Sequence, residues 1–227
     1  MLNLKENIYI IDGEKNKAAL GFHFPTRMVV IKLSDETLFV WSPIAGNDAV
    51  FDEIDALGPV AHLVAPNHLH HMHLSHWIAR YPDAMVWCAP RLKAKRPDLK
   101  FAQDLSDQAP IAWAGQIEQV IFRNTITDEV VFFHRASNTI IVTDIIQSMP
   151  RDWYSGWRRW IARMDLMTER VPSMPRKYRL GFRGSNLEDA YRIAARWHVQ
   201  NLIMAHGPVV TENAHSVFKN AFAPVIG

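Results

Sequence analysis

The chain has 227 residues, of which 48% are apolar and 21% are charged, and its formal net charge is +2 at pH 7. This composition is typical of a globular protein. It excludes a membrane-spanning, collagen-like or disordered chain, and the even charge balance does not indicate a dedicated nucleic-acid binder. Cys88 is the single cysteine, so a disulfide scaffold and a tetracysteine zinc module are excluded as well.

The first part of the chain is predicted to form strands, with one helix between them. An apolar run over residues 8–11 predicts a strand. Residues 28–33 and 37–41 predict a hairpin, because β-branched and aromatic residues flank a short polar turn. A single apolar face over residues 51–57 predicts a helix. Residues 60–65 then predict a buried strand, which ends at Pro66 just before a histidine-rich segment.

The second part of the chain repeats this order of elements. Apolar residues at helical spacing predict a short helix over residues 74–81, followed by a strand at 85–88 and an irregular stretch at 91–108. Residues 130–133 and 139–143 predict a second hairpin, which leads to Asp144. A capping box from Ser185 to Glu188 predicts the start of a helix. A strand at 202–205 ends at His206, and a last helix is predicted after residue 211.

A further helix is predicted after residue 150, and its apolar stripe is rich in tryptophan. The stripe consists of Trp153, Trp157, Trp160, Ile161 and Met164. Its simplest interpretation is buried core, and the alternatives are the lining of an apolar pocket or a dimer face.

The two halves share the order hairpin, helix, strand and histidine-containing loop. Two such halves could stack their sheets and cover the outer faces with helices, so that the loops after equivalent strands meet at one edge. No glycine- or serine-rich linker divides the chain. We therefore expect one domain over residues 1–227.

The histidine-rich segment is the strongest chemical signal in the sequence. Five of the 11 histidines lie between His68 and His76. Neutral imidazole is a common ligand of zinc and iron, and a loop after a strand can turn several rings toward one point. The alternative is that these histidines are solvated or structural. His76, which falls within the predicted helix, is expected to be exposed or to pack against a neighbour.

Two more positions favour a metal site. Asp144 and His206 each follow a predicted buried strand. A carboxylate at the end of such a strand is costly unless it has a strong partner. Each residue also has a structural alternative, since Asp144 could cap a helix and His206 could be a hydrogen-bonded core residue.

This constellation resembles the metallo-β-lactamase superfamily. The resemblance rests on Asn-His-Leu-His-His-Met-His at 67–73, Ile-Val-Thr-Asp at 141–144 and Met-Ala-His-Gly at 204–207. The order of elements agrees over nearly the whole chain, and within the superfamily the sequence is most similar to a branch of unknown function. The resemblance implies an α/β fold, the four-layer αβ/βα sandwich of the metallo-β-lactamase type.

The resemblance also implies a set of metal ligands. His68 and His70 would hold one metal, His73 and His206 a second, and Asp144 would bridge the two ions and could act catalytically. The sequence departs from the family pattern at two places. Met72 replaces the aspartate of the first motif, and the segment 124–127 lacks the third histidine.

These departures leave alternatives for the ligand set. His71 could substitute after a shift of the loop, and a single metal is a further alternative. His134 could lean toward the site, although its place near a hairpin turn predicts a surface residue. Tyr178, in the segment between helices, is a candidate for binding substrate.

The function implied by these residues is a metal-dependent hydrolase of a small ester, thioester, lactone or phosphoester. We expect one or two zinc ions, with iron or manganese as alternatives. The competing functions are a vestigial, non-catalytic binding protein and an iron-dependent oxidoreductase. We expect a small-molecule substrate and neither a nucleic-acid nor a membrane partner, and we leave a homo-oligomer open. The single cysteine and the absence of a signal-peptide pattern predict a cytoplasmic protein.

Overall fold

Continuous apolar runs and alternating apolar residues form the strands of two sheets. The structure, a computed structural model, describes residues 1–182 and 187–226. The first half of the predicted capping box, Ser185 and Asn186, lies outside the described residues. The first sheet contains, in spatial order, β1 (Leu2–Lys5), β2 (Ile8–Lys17), β3 (His23–Lys32), β4 (Leu38–Trp41), β5 (Val60–Ala65), β6 (Met85–Cys88) and β7 (Gln103–Asp104).

The second sheet has four strands in the order β11, β10, β9, β8. Their bounds are β8 (Ile117–Phe122), β9 (Glu129–His134), β10 (Thr139–Val142) and β11 (Asn201–Met204). Strands β8, β9 and β10 pair antiparallel, whereas β10 and β11 are parallel, with Ile141 beside Ile203. In the first sheet, β1 to β4 are antiparallel, and β4 to β7 are parallel.

Helices cover the outer faces of both sheets. The helices are α1 (Asp48–Asp55), α2 (Leu74–Arg80), α3 (Leu92–Lys95), α4 (Gly156–Met164), α5 (Arg176–Gly181), α6 (Leu187–Ala194) and α7 (Ala214–Phe222). Buried residues of α1 and α2 pack on the first sheet, and those of α6 and α7 pack on the second. The architecture is the predicted four-layer αβ/βα sandwich.

The alternation of side chains along each strand separates the layers. On β3, Val29 and Ile31 face the core between the two sheets, whereas Met28 and Val30 face the helices outside. Because successive side chains on a strand point to opposite faces, one apolar run supplies both cores. The elements that carry the site are held in place by this packing.

Two predictions about buried and exposed residues are wrong. Four residues of the tryptophan stripe, Trp157, Trp160, Ile161 and Met164, are exposed rather than core. The period of the stripe shows which side chains share a face of α4, but it does not show that another element covers that face. His134 is buried rather than at the surface, because its ring bonds the Ser137 hydroxyl at 2.7 Å inside the turn.

Candidate metal centre

The parallel strands of both sheets end at the same edge of the molecule. The loops that follow β5, β10 and β11 carry His70, Asp144 and His206 to this edge. One ligand atom from each of these three residues lies within 4.8 Å of the others. Asp144 and His206 are buried, and the His70 side chain is 9% exposed.

The two imidazoles flank one carboxylate. His70 Nε2 lies 3.3 Å from Asp144 Oδ2, and His206 Nε2 lies 3.3 Å from Asp144 Oδ1. Two ligand atoms that are each 2.0–2.1 Å from a tetrahedral zinc ion are about 3.3–3.4 Å apart. These nitrogen–oxygen separations therefore suit ligands of one ion.

In both imidazoles Nδ1 has a hydrogen-bond partner, which leaves Nε2 available to bind a metal ion. His206 Nδ1 donates to the Pro25 carbonyl at 2.9 Å, so in the neutral ring Nε2 carries the lone pair that faces Asp144. His70 Nδ1 lies 2.8 Å from the Ser42 hydroxyl. In proteins, a hydrogen bond at the ring nitrogen that does not bind the metal orients the histidine ligand.

Burial and neighbouring groups act on the charge of His70 and Asp144. Burial lowers the pKa of His70 despite the attraction of Asp144, so its ring is neutral near pH 7. Burial on its own would raise the pKa of Asp144, but the adjacent His206 and His70 rings hold it well below its usual value. Two histidine nitrogens and a carboxylate at this spacing are donors that a divalent cation binds, so the residues present fit a metal ion.

Asn67 connects two of the ligand loops. Its amide nitrogen donates to Asp144 Oδ2 at 2.7 Å and to the Thr143 hydroxyl at 2.8 Å. Its amide oxygen accepts from the backbone nitrogens of Leu69 and His70, at 2.8 and 2.9 Å. One fully buried side chain thus fixes Asp144 relative to the backbone of His70.

Glu129 holds the Asp144 loop from the other side. Its carboxylate accepts hydrogen bonds from the backbone nitrogens of Thr143, Asp144 and Ile145, at 2.6, 2.8 and 3.1 Å. Burial, followed by the negative charge of Asp144, raises the pKa of Glu129 to about 7. Glu129 was not among the residues predicted for the site, although a glutamate that begins an otherwise apolar strand is an available signal.

The structure places the other predicted ligands outside this group. His68 Nε2 bonds the Pro90 carbonyl at 2.6 Å, and Arg96 contacts His71 Nδ1 at 3.0 Å. His73 Nε2 lies 3.2 Å from the Asn16 side chain at the rim of the site. Met72, at the position of the family's aspartate, is exposed.

The segment 124–127, which lacks the third histidine of the family pattern, forms hydrogen bonds with neighbouring elements instead. The Thr127 hydroxyl lies 3.1 Å from His68 Nδ1, and the Asn124 amide donates to the Tyr178 carbonyl at 2.8 Å. This segment therefore supports His68 and helix α5. His134, bonded to Ser137 in the turn between β9 and β10, also belongs to the framework.

A cavity of about 290 Å³ lies against the candidate metal centre. His70, Asp144, His206 and Tyr178 form part of its wall. The rest of the lining is mostly apolar, with two lysines, and includes Phe24, Pro43, Ile44, Leu69, Met72, Lys17 and Lys177. Tyr178 is buried, and its hydroxyl interacts electrostatically with the Asp144 carboxylate. Burial raises the pKa of Tyr178 well above its usual value, so the hydroxyl keeps its proton.

Solved structures with this fold include metalloenzymes of low sequence identity. A metallo-beta-lactamase from Hirschia baltica matches with a TM-score of 0.62 and 12% identity, over 99% of this chain and 96% of that one. The mono-zinc form of a metallo-beta-lactamase from Pseudomonas aeruginosa matches with a TM-score of 0.60 and 11% identity, over 99% and 95%.

A metal-soaked flavodiiron core from Synechocystis sp. PCC6803 matches with a TM-score of 0.61 and 10% identity, over 96% of this chain and 59% of that one. At these identities the matches establish the fold alone, which is the metallo-β-lactamase fold expected from the sequence.

Sequence comparison identifies the family. No curated protein sequence matches the chain significantly. The sequence profile described as "Domain of unknown function (DUF4336)" matches residues 5–159, which is more than half of the chain. The chain therefore belongs to the DUF4336 family.

Proposed function

We propose that this protein is a hydrolase of a small ester, thioester, lactone or phosphoester that uses a single divalent metal ion, with zinc favoured. The observation that carries the proposal is the buried group of His70, Asp144 and His206, whose ligand atoms lie within 4.8 Å of one another. Three protein ligands with one open position are typical of catalytic rather than structural zinc sites.

The metal would supply Lewis-acid polarisation of the substrate and would lower the pKa of a bound water toward about 7. The chain's own residues perform the rest. The Pro25 carbonyl fixes the proton of His206 on Nδ1, which leaves Nε2 as a donor to the ion. Asn67 donates a hydrogen bond to the Asp144 carboxylate, which orients it for proton transfer.

The cavity favours a small substrate with an apolar part. Its volume of about 290 Å³ lies at the lower end of ligand-binding pockets. Phe24 and Ile44 supply apolar walls, and Lys17 and Lys177 place positive charge at the cavity.

A second candidate function is iron-dependent oxidation or reduction. Two histidines and one carboxylate are the donor set of many non-haem iron(II) enzymes. The structural match to a flavodiiron core shows that the fold also occurs in a protein named for iron. The identity of the bound metal separates this candidate from the hydrolase.

Elemental analysis of the purified protein, combined with hydrolysis assays on ester, thioester, lactone and phosphoester substrates, tests the proposal. We expect about one equivalent of zinc and hydrolysis of at least one class. The double substitution His70→Ala and His206→Ala removes two of three ligands, so metal retention and hydrolysis should both be lost.

The matched control is His68→Ala with His71→Ala, which removes two rings from the same loop that are bonded elsewhere. This control should retain metal. Stoichiometric metal in the His70/His206 variant would refute the site. Redox-active iron in the wild type would favour the second candidate, and an absence of metal would favour a vestigial binding protein.

A further inference from the structure

Helix α4 exposes an apolar face that the described part of the chain leaves uncovered. Its members lie at i, i+3, i+4 and i+7, and they are joined by one leucine of the β2–β3 turn. This tryptophan face consists of Trp157, Trp160, Ile161, Met164 and Leu20. Trp160 is 66% exposed, Met164 61% and Leu20 74%. Large apolar side chains that cluster on a surface indicate an interaction site.

Two elements hold the tryptophan face in a fixed shape. Arg158 Nε donates to the Leu20 carbonyl at 2.7 Å, which joins α4 to the β2–β3 turn. The ring of Trp157 packs edge-on against Phe22, with 5.8 Å between centroids. The exposed side chains therefore project from one preformed surface.

The rim of the face is positively charged. Helix α4 contains no acidic residue, and by helical spacing Arg158 and Arg163 flank the face, whereas Arg159 lies on the opposite side of the helix. Asp165, directly after the helix, is bonded to Lys177, with 3.4 Å between Oδ2 and Nζ. The surface therefore combines tryptophan side chains with guanidinium groups that no carboxylate of the helix neutralises.

This combination favours an anionic lipid surface over a second copy of the chain. Tryptophan prefers the boundary between lipid headgroups and acyl chains, and arginine is attracted by anionic headgroups. Two copies that met through this face would bring their arginines together without acidic partners from α4. A helix of nine residues is about 14 Å long, so it would lie in the interface plane rather than cross the bilayer.

We propose that the tryptophan face docks the protein peripherally on membranes that contain anionic lipid. Trp157, Trp160, Met164 and Leu20 enter the headgroup region, and Arg158 and Arg163 contact phosphates. The proposal is independent of the metal centre. It departs from our sequence-based expectation of no membrane partner, which considered spanning segments but not a helix that lies flat. In the described part of the chain, no helix is long and apolar enough to span a bilayer.

Sedimentation of the full chain with vesicles tests the proposal. We expect binding to vesicles of phosphatidylcholine mixed with phosphatidylglycerol, little binding to pure phosphatidylcholine, and a decrease in binding as salt is raised. The substitutions Trp157→Ala and Trp160→Ala together should lower the partition coefficient about tenfold or more. Tryptophan fluorescence of the wild type should shift to shorter wavelength on the anionic vesicles.

Trp160→Ala alone is the variant least able to disturb folding, because this side chain is the more exposed of the two. Its matched control is Ile111→Ala, which removes another fully exposed apolar side chain from a different element and should bind like the wild type. Equal binding of all variants, or no binding to either vesicle, would overturn the proposal. Concentration-dependent dimerisation that Trp160→Ala abolishes would also overturn it, since the occupant would then be a second copy.

Discussion

At the scale of single residues, the candidate site depends on hydrogen bonds that sequence spacing does not specify. His68, His70, His71 and His73 are chemically equivalent in the sequence, yet their rings point to four different partners. The direction of a side chain in a loop depends on local backbone turns, here fixed by Asn67. The residue types of the site could be predicted from the sequence, but the choice among the histidines could not.

Asn67→Ala should weaken metal binding without removing a ligand. The change deletes the bond to Asp144 Oδ2 and the two bonds to the backbone of Leu69 and His70. Loss of such a supporting partner typically costs about 10- to 100-fold in metal affinity. Competition with a zinc-chelating dye measures the dissociation constant. The exposed His76→Ala should leave the constant unchanged, and an unaltered affinity in Asn67→Ala would contradict the role given to Asn67.

His134 should make the fold less stable as pH falls. Burial lowers the pKa of His134 to about 4 from 6.5, so the unfolded chain binds a proton more readily than the folded one. The contribution of His134 to the free energy of unfolding is complete above pH 6.5 and is lost as pH falls toward 4. At pH 5 the loss is about 2 kcal/mol. Urea unfolding at pH 7 and pH 5 checks this. His134→Gln cannot titrate and should lose about 2 kcal/mol less than the wild type between these pH values.

At the scale of elements, strands with a continuous apolar pattern were predicted from the sequence, and a strand with an interrupted pattern was not. The strands that carry the site, β5, β10 and β11, are short apolar runs and were predicted from the sequence. Strand β8 was not, because Glu118 and Gln119 interrupt its pattern. The exposure of Trp160 was also missed, since helical periodicity indicates a shared face but not what packs on it. The formation of β8 and the exposure of Trp160 both depend on contacts between elements that are distant in the sequence.

Glu129→Gln should destabilise the connection between β9 and the end of β10. The carboxylate accepts three backbone hydrogen bonds, and a glutamine amide would turn a donor toward backbone N–H groups that need an acceptor. A buried donor without a partner costs about 1–3 kcal/mol. We expect a fall of about 2 kcal/mol in the free energy of unfolding in urea at pH 8. The exposed Glu6→Gln is the control, and a stability equal to wild type would show that Glu129 does not anchor this loop.

At the scale of the whole molecule, the candidate centre joins the two sheets. His70 follows β5 of the first sheet, whereas Asp144 and His206 follow β10 and β11 of the second. The ends of parallel strands coincide at one edge because both sheets stack through a common core. The convergence of these loops could be predicted from the order of elements, and the four-layer fold was implied by the resemblance to the metallo-β-lactamase superfamily.

A metal ion at this edge should therefore stabilise the whole fold. An ion that binds only the folded state adds about 2.7 kcal/mol when its free concentration is 100 times the dissociation constant. For a chain of 227 residues this corresponds to a rise of about 5–10 °C in Tm. Thermal unfolding with zinc and with a chelator measures the shift. The His70→Ala and His206→Ala variant should lose the zinc-dependent part, whereas the His68→Ala and His71→Ala variant should keep it. If both variants kept the shift, zinc would bind elsewhere, and the two sheets would not be linked through these residues.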